Sequence, residues 1–232
     1  TRDRIRFVRN FIETAQYSAV RSSTDEINAH QRLVAKLYSF LNSPGKTLRA
    51  YRKSDTSVPA RYARAIAYYR IPDVKQAIGE IDGLLREFPD DPWFQELKGQ
   101  ILFENGHIAL SMAPYERAVT LRPKEALLRL GLARAQIEIN DEEFTKKAID
   151  NLIIAARAEP NYAEHWHFLG IAYARDGQLA QSSLALAESS LLRNEFVEAK
   201  YHAEKAKRGL AAGSPAFLRA EDISMAAANG NR

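Results

Sequence analysis

Five histidines are the side chains of this sequence best suited to hold a metal or move a proton: His30, His107, His165, His167 and His202. None belongs to a His-Glu-x-x-His pattern, in which two imidazoles four residues apart share one helical face around zinc. His165 and His167 are two apart, so on a helix they diverge by about 200° and cannot chelate one ion from one face. The chain has no cysteine, which excludes thiolate zinc sites, disulfides and a thiol nucleophile. It has no glycine-rich phosphate loop and no Gly-x-Ser-x-Gly elbow. The paired acids Asp90-Asp91 and Asp141-Glu142-Glu143 stand at turns and helix starts, where carboxylates cap the helix and complement its dipole. No catalytic, cofactor-binding or metal-ligating residue is therefore expected in this chain.

The elements that would position these side chains are helices. Ala, Leu, Arg and Glu dominate, all good helix formers, and 11 Gly and 9 Pro are too few for an all-β chain with many turns. A 46% apolar share with 27% charged residues suits a packed fold. The 33 basic and 29 acidic residues leave a net charge of +4, dispersed along the chain, which does not argue for nucleic acid. No apolar run approaches the roughly 18–20 residues that span a bilayer, and no signal peptide is visible. The chain opens on Thr1 rather than methionine, which reads as a fragment or processed product.

The helices repeat. Pro89 and Pro123 are 34 residues apart, and Pro160 lies 37 beyond Pro123. Each follows a charged or polar helical end, and proline cannot continue a helix but fits the opening turn of the next. Trp166-x-x-Leu169-Gly170-x-x-Tyr173, followed by Gly177, resembles the first-helix signature of the tetratricopeptide repeat, a helix–turn–helix unit of about 34 residues. Counting from the prolines, first-helix small residues fall on Ala65, Gly99, Ala133 and Gly170, and second-helix ones on Ala77, Ser111, Ala148 and Ser182, with Tyr115 and Ala118 packing behind in the second repeat. Small residues recur because paired helices cross too closely for large side chains. The third register requires three extra residues, assigned to the turn at 140–144. The expected fold is all-α, a tetratricopeptide-repeat superhelix of about four repeats with extra N-terminal and C-terminal helices.

The expected organisation is an N-terminal helical cap over 1–57, repeats over 58–194, capping helices over 195–223 and a frayed tail over 224–232. The first helix, residues 2–20, has Ile5, Val8, Phe11, Ile12 and Ala15 on one face and Arg2, Arg6 and Arg9 on another, the latter facing either solvent or an anionic partner. A second helix, with Leu33, Leu37, Phe40 and Leu41 as its apolar residues, runs to about Leu41. The segment at 180–193 reads equally as the second helix of the fourth repeat or the first helix of a degenerate fifth.

The inner surface of such a superhelix is lined by first helices. The register puts Tyr62, Ile66 and Tyr69 there from the first repeat, and Trp93, Glu96, Gln100 and Phe103 from the second. It adds Leu130, Arg134 and Ile137 from the third, and His167, Ile171 and Arg175 from the fourth. The expected protein-binding groove is Tyr62, Tyr69, Trp93, Gln100, Phe103, Arg134, His167 and Arg175, a mixed aromatic and polar track suited to an extended segment. The aromatics have a competing role, packing against the N-terminal helices. The Lys and Asn that carboxylate-clamping repeats carry at fixed first-helix points are absent: those points hold Tyr62, Glu96, Leu130, His167 and Ile66, Gln100, Arg134, Ile171.

The flanks carry a second resemblance. Asp3-Arg4-Ile5-Arg6, Ala35-Lys36-Leu37, Phe40-Leu41, Pro59–Tyr69, Pro92–Gln100 and Gly213-Ser214-Pro215-Ala216 together resemble the C-terminal tetratricopeptide domain of BepA-like bacterial zinc metalloproteases, relatives of HtpX. The resemblance implies a non-catalytic domain that recruits substrates or outer-membrane assembly partners to a protease domain in the periplasm. Zinc is then expected only in that protease domain, and the partners are a protein or peptide client, the assembly machinery and the cognate protease domain. A free-standing repeat adaptor is the alternative, and the composition suits the cytoplasm as well as the periplasm.

Overall fold

Helix starts in this chain are set by short polar side chains. Ser23 opens α1 (Thr24–Leu41) with a capping box: its backbone N–H donates to Glu26 Oε2 at 2.7 Å, and its Oγ accepts from the Glu26 N–H at 3.2 Å. After α2 (Pro44–Ala50), Ser57 caps α3 (Val58–Arg70), Asp73 caps α4 (Val74–Glu87) and Asp91 caps α5 (Pro92–Glu104). Then come α6 (Ile108–Leu121), α7 (Ala126–Ile139), α8 (Glu142–Ala158) capped by Asp141, α9 (Ala163–Arg175), α10 (Leu179–Leu192), α11 (Phe196–Gly209) and α12 (Pro215–Gly230). The computed structural model describes residues 23–230, and among them the architecture is all helical with no strand. The helix expected at 2–20 lies outside the described residues.

The chain divides into two compact units, Thr1–Ile71 and Pro72–Arg232, so the boundary falls after α3 rather than at residue 57. In the first unit α1 packs along α3, and α2 touches both. Arg64 on α3 is 3% exposed and sends Nη1 to the carbonyls of Arg52 at 2.8 Å and Asp55 at 2.7 Å, which satisfies the polar 52–57 loop. Arg70 Nη1 likewise donates to the carbonyls of Ser39 and Asn42 at the end of α1. Ala35 and Ser39 are the buried residues of α1, while Leu33, Leu37, Phe40 and Leu41 are exposed.

In the second unit consecutive helices pack as neighbours, and each first helix also meets the next first helix: α5 with α7, α7 with α9. The turns inside the pairs end in the left-handed region at Gly106 (φ 81°), Asn140 (57°) and Gly177 (77°), a conformation glycine and asparagine adopt at least cost. The junctions between pairs repeat a hydrogen bond. Gln95 Nε2, Arg129 Nε and Trp166 Nε1 each donate to the carbonyl of the proline six residues earlier, Pro89, Pro123 and Pro160, at 2.8–2.9 Å.

Close crossings fall where the register places them. A Cβ on Gly99 would lie 2.8 Å from the Tyr115 ring, and one on Gly170 2.7 Å from Leu186 Cγ. Ala133 is fully buried in a core shared with Leu130, Leu152 and Leu169. Two expectations are corrected. The three extra residues of the third repeat lengthen α8 to 17 residues, against 14 for α6 and α10, instead of enlarging the turn. The C-terminal segment does not fray at 224: α12 continues to Gly230 with Ser224 and Ala227 buried, because alanine packs closely against Ala199 and Ala203 of α11 without needing bulk.

Both readings of α10 hold. It pairs with α9, and it packs as fully on α11 and reaches past it to α12. The ladder of alternate-helix contacts thus runs α5–α7–α9 and resumes as α10–α12.

Candidate functional site

The face carried by α5, α7 and α9 centres on Arg134. Its guanidinium carbon lies 5.1 Å from the Phe103 ring centroid on α5 and 5.3 Å from that of Phe168 on α9, so one cation is held between two aromatic rings from successive first helices. Such contacts contribute about 0.5–1 kcal/mol when exposed and about 2 when desolvated. Each ring is anchored in a separate core: Phe103 packs on Met112, Tyr115, Leu132 and Ala135, and Phe168 on the cluster of Leu130, Ile137, Leu152 and Leu169. The arginine is half-buried, and among the described residues its N–H groups meet no hydrogen-bond acceptor.

The column runs obliquely. Phe103, Arg134 and Phe168 stand 14, 11 and 8 residues after Pro89, Pro123 and Pro160, one helical turn earlier on each successive helix. Equivalent positions in successive repeats therefore do not meet across the face. This is why the register selects Phe103 and Arg134 but passes over Phe168, naming its neighbour His167. The His167 ring lies edge-on to Phe168 with centroids 5.4 Å apart.

The other residues of the expected groove divide. Trp93 is half-buried in the first turn of α5, where Asp91 Oδ1 accepts from its backbone N–H at 3.0 Å. Gln100 donates to Glu104 Oε1 at 3.2 Å, one turn along the same helix. Leu130 and Ile137 are core residues, 6% and 2% exposed, because contacts between successive first helices bury the flanks of the stripe. Arg175 is engaged elsewhere: Nη1 donates to the Ile137 carbonyl at the end of α7, and Nη2 lies 3.9 Å from Glu138. It also lines a cleft of about 450 Å³ at the turns 140–145 and 175–177, away from the aromatic column. Tyr62 and Tyr69 belong to the first unit; Tyr62 is 2% exposed, so it offers no binding surface, and Ile66 is fully buried beside it.

His165 and His167 confirm their divergence: the first is fully buried, the second half-exposed. Among the described residues no three His, Asp or Glu side chains converge on a common point that could hold a metal ion. Burial holds the imidazoles of His165 and His202 below their ordinary pKa.

Repeated helical pairs with small residues at their crossings define a tetratricopeptide-repeat scaffold, the kind of fold that serves protein interaction. The tetratricopeptide-repeat family profile matches residues 62–126. The beta-barrel assembly-enhancing protease of Yersinia pestis is 26% identical over 140 residues, 60% of this chain but 28% of that protein, so the match spans under a third of the relative. Among solved structures, YrrB, described as a tetratricopeptide-repeat protein with an unusual peptide-binding site, superposes with a TM-score of 0.58 at 19% identity, over 82% of this chain and 98% of that one. MamA from Desulfovibrio magneticus RS-1 superposes with a TM-score of 0.55 at 18% identity, over 80% and 96%. At these identities the structural likenesses establish the fold.

Proposed function

We propose that this chain is the substrate-recruiting part of a periplasmic zinc metalloprotease concerned with outer-membrane protein assembly, and that α5, α7 and α9 receive the client. The Phe103–Arg134–Phe168 column carries the reading of the face: interface energy concentrates in aromatic and arginine side chains that a partner can desolvate. The match to the beta-barrel assembly-enhancing protease supports the link to assembly. In this reading zinc and the scissile chemistry belong to a separate protease domain. The repeat domain contributes by raising the client's effective concentration beside it.

Site-specific photo-crosslinking tests the face. A crosslinker at Gln100 or His167 should capture clients, and one at Ile154, an exposed residue of the second helix α8, should not. Adducts confined to α8 would move the site to the opposite side. Cell fractionation tests the compartment, and a chain retained in the cytoplasm would refute the periplasmic assignment.

A second reading, a free-standing adaptor, is favoured by one observation: the fold shared with YrrB accounts for 98% of that chain. Sequencing the full-length protein upstream of Thr1 separates the two. A His-Glu-x-x-His helix there supports the protease, and an initiator methionine there supports the adaptor.

A further inference from the structure

We propose that Arg134 is an anion receptor: it takes the carboxylate of an Asp or Glu side chain from an extended client segment, while the client's flanking apolar residues lie on Phe103 and Phe168. The proposal rests on the reading of α5, α7 and α9 as the receiving face and gives that face a chemical preference.

Two rings cover the guanidinium, at 5.1 and 5.3 Å. The guanidinium carries its N–H donors in a rigid planar fork that matches a carboxylate bidentately. Among the described residues nothing accepts from them. The helix offers a natural acceptor, since Glu138 stands one turn beyond Arg134. Glu138 turns instead to Arg175, at 3.9 Å, whose other nitrogen is fixed on the Ile137 carbonyl. On the α5 side Glu104 accepts from Gln100 at 3.2 Å. Arg134 is thus a positioned cation on a partly apolar floor, with the acid one turn along its own helix turned to Arg175.

A side-chain carboxylate fits better than a chain terminus. Clamping a terminus needs Lys and Asn donors on successive first helices, and of the corresponding points on α5, α7 and α9 Glu96, Leu130 and Ile171 offer none, which leaves Arg134 as the one arginine or lysine beside Gln100 and His167. One cation flanked by two rings matches one acidic residue between apolar neighbours.

Two libraries of short random peptides, panned on the purified chain, test this. In one the peptides are fused through their C-termini, so that only side chains carry negative charge; in the other the C-termini are free. The fused library should enrich peptides with Asp or Glu at one position between apolar residues. In a synthetic peptide from that pool, Glu→Gln should weaken binding about tenfold, as should Arg134→Gln in the protein. The two changes together should cost no more than either alone, the signature of a direct pair. Arg134→Lys should recover only part of the affinity, since the fork and the stacking are lost. The peptide substitution needs no altered protein, so it remains decisive if Arg134→Gln folds poorly.

Enriched peptides without an acid, or an acidic peptide whose affinity Arg134→Gln leaves unchanged, would overturn the receptor and leave the receiving face standing. Enrichment only from free C-termini would reassign Arg134 to a terminal carboxylate. If neither library is enriched, the receptor and the receiving face both fall.

Discussion

The Tyr115 ring on α6 fills the space that a side chain on Gly131 of α7 would need: a Cβ there would lie 2.8 Å from Cε1. The same ring closes on Gly99 of α5, where a Cβ would lie 2.8 Å from Cδ1, so one aromatic fits against two glycines on successive first helices. Gly131→Leu should therefore overpack this crossing and destabilise the protein by about 1–3 kcal/mol. Gly79 on α4 provides the contrast. Nothing lies within 4 Å of its Cβ position, so Gly79→Ala should stabilise by about 0.5–1 kcal/mol through helix propensity alone. Chemical denaturation of both variants checks the pair, and equal midpoints would contradict this fit.

Gly99 and Gly170 were legible because their repeats align on the junction prolines. Gly131 was not, since it sits two residues before the aligned small residue, Ala133, and answers to an aromatic of the preceding repeat. Its counterpart on α9 is Phe168, eight residues after the junction proline in both cases. The residue corresponding to Tyr115 is there Leu152, eight before Pro160. Phe168 packs on the core that contains Leu152 and turns its ring to Arg134. Periodicity predicts what lies at equivalent positions of each helix. It does not predict which positions meet across helices whose shared face advances obliquely.

The same limit explains Arg175. Its position after the Trp166 signature puts it in the expected groove, but its side chain reaches the carbonyl end of α7, where a cation completes the helix terminus. The C-terminal helix was underestimated for another reason. An alanine-rich segment has little apolar bulk, yet Ala227 packs where bulk would not fit.

The junction hydrogen bond should be separable from the packing around it. Trp166→Phe keeps a half-buried aromatic in the core of α9 and removes the Nε1 donor that meets the Pro160 carbonyl at 2.8 Å. The expected cost is about 0.5–1.5 kcal/mol. Thermal melts check it, and an unchanged midpoint would show that water replaces the bond without loss.

Arg219 on α12 holds Glu188 on α10 with two contacts, Nε to Oε1 at 2.5 Å and Nη2 to Oε2 at 2.7 Å. Glu188 is 7% exposed, so Arg219→Ala strands a nearly buried carboxylate and should cost about 1–3 kcal/mol. Glu188→Gln in the same background removes the stranded charge and should restore part of that loss. Hydrogen exchange should show the loosening concentrated in α12, whose polar ties to α11 are Ser224 Oγ donating to Glu204 at 2.7 Å and Lys207 Nζ 3.9 Å from Glu221. Uniform loosening of all helices would contradict a local role.

Acid should weaken the domain through His165. The ring is fully buried on α9, with Nδ1 3.5 Å from the Glu159 carbonyl, to which its N–H donates; Nε2 has no described partner. Desolvation pulls its pKa below the ordinary value, and the Glu159 carbonyl and carboxylate and Glu164 only partly offset this. In the unfolded chain the imidazole titrates near 6.5. As pH falls below that value the unfolded state binds the proton first, and stability drops by at most about 1.4 kcal/mol per pH unit until the folded-state pKa is reached. Above about pH 7 the group contributes no slope. His202 on α11 has the same sign: burial and Lys205 lower its pKa, and Glu198 opposes them. Stability measured by denaturant at pH 7.5 and at pH 5 should fall more steeply in the native sequence than in His165→Phe, which cannot take up the proton. Equal slopes would show that protonation of His165 is not what acid exploits.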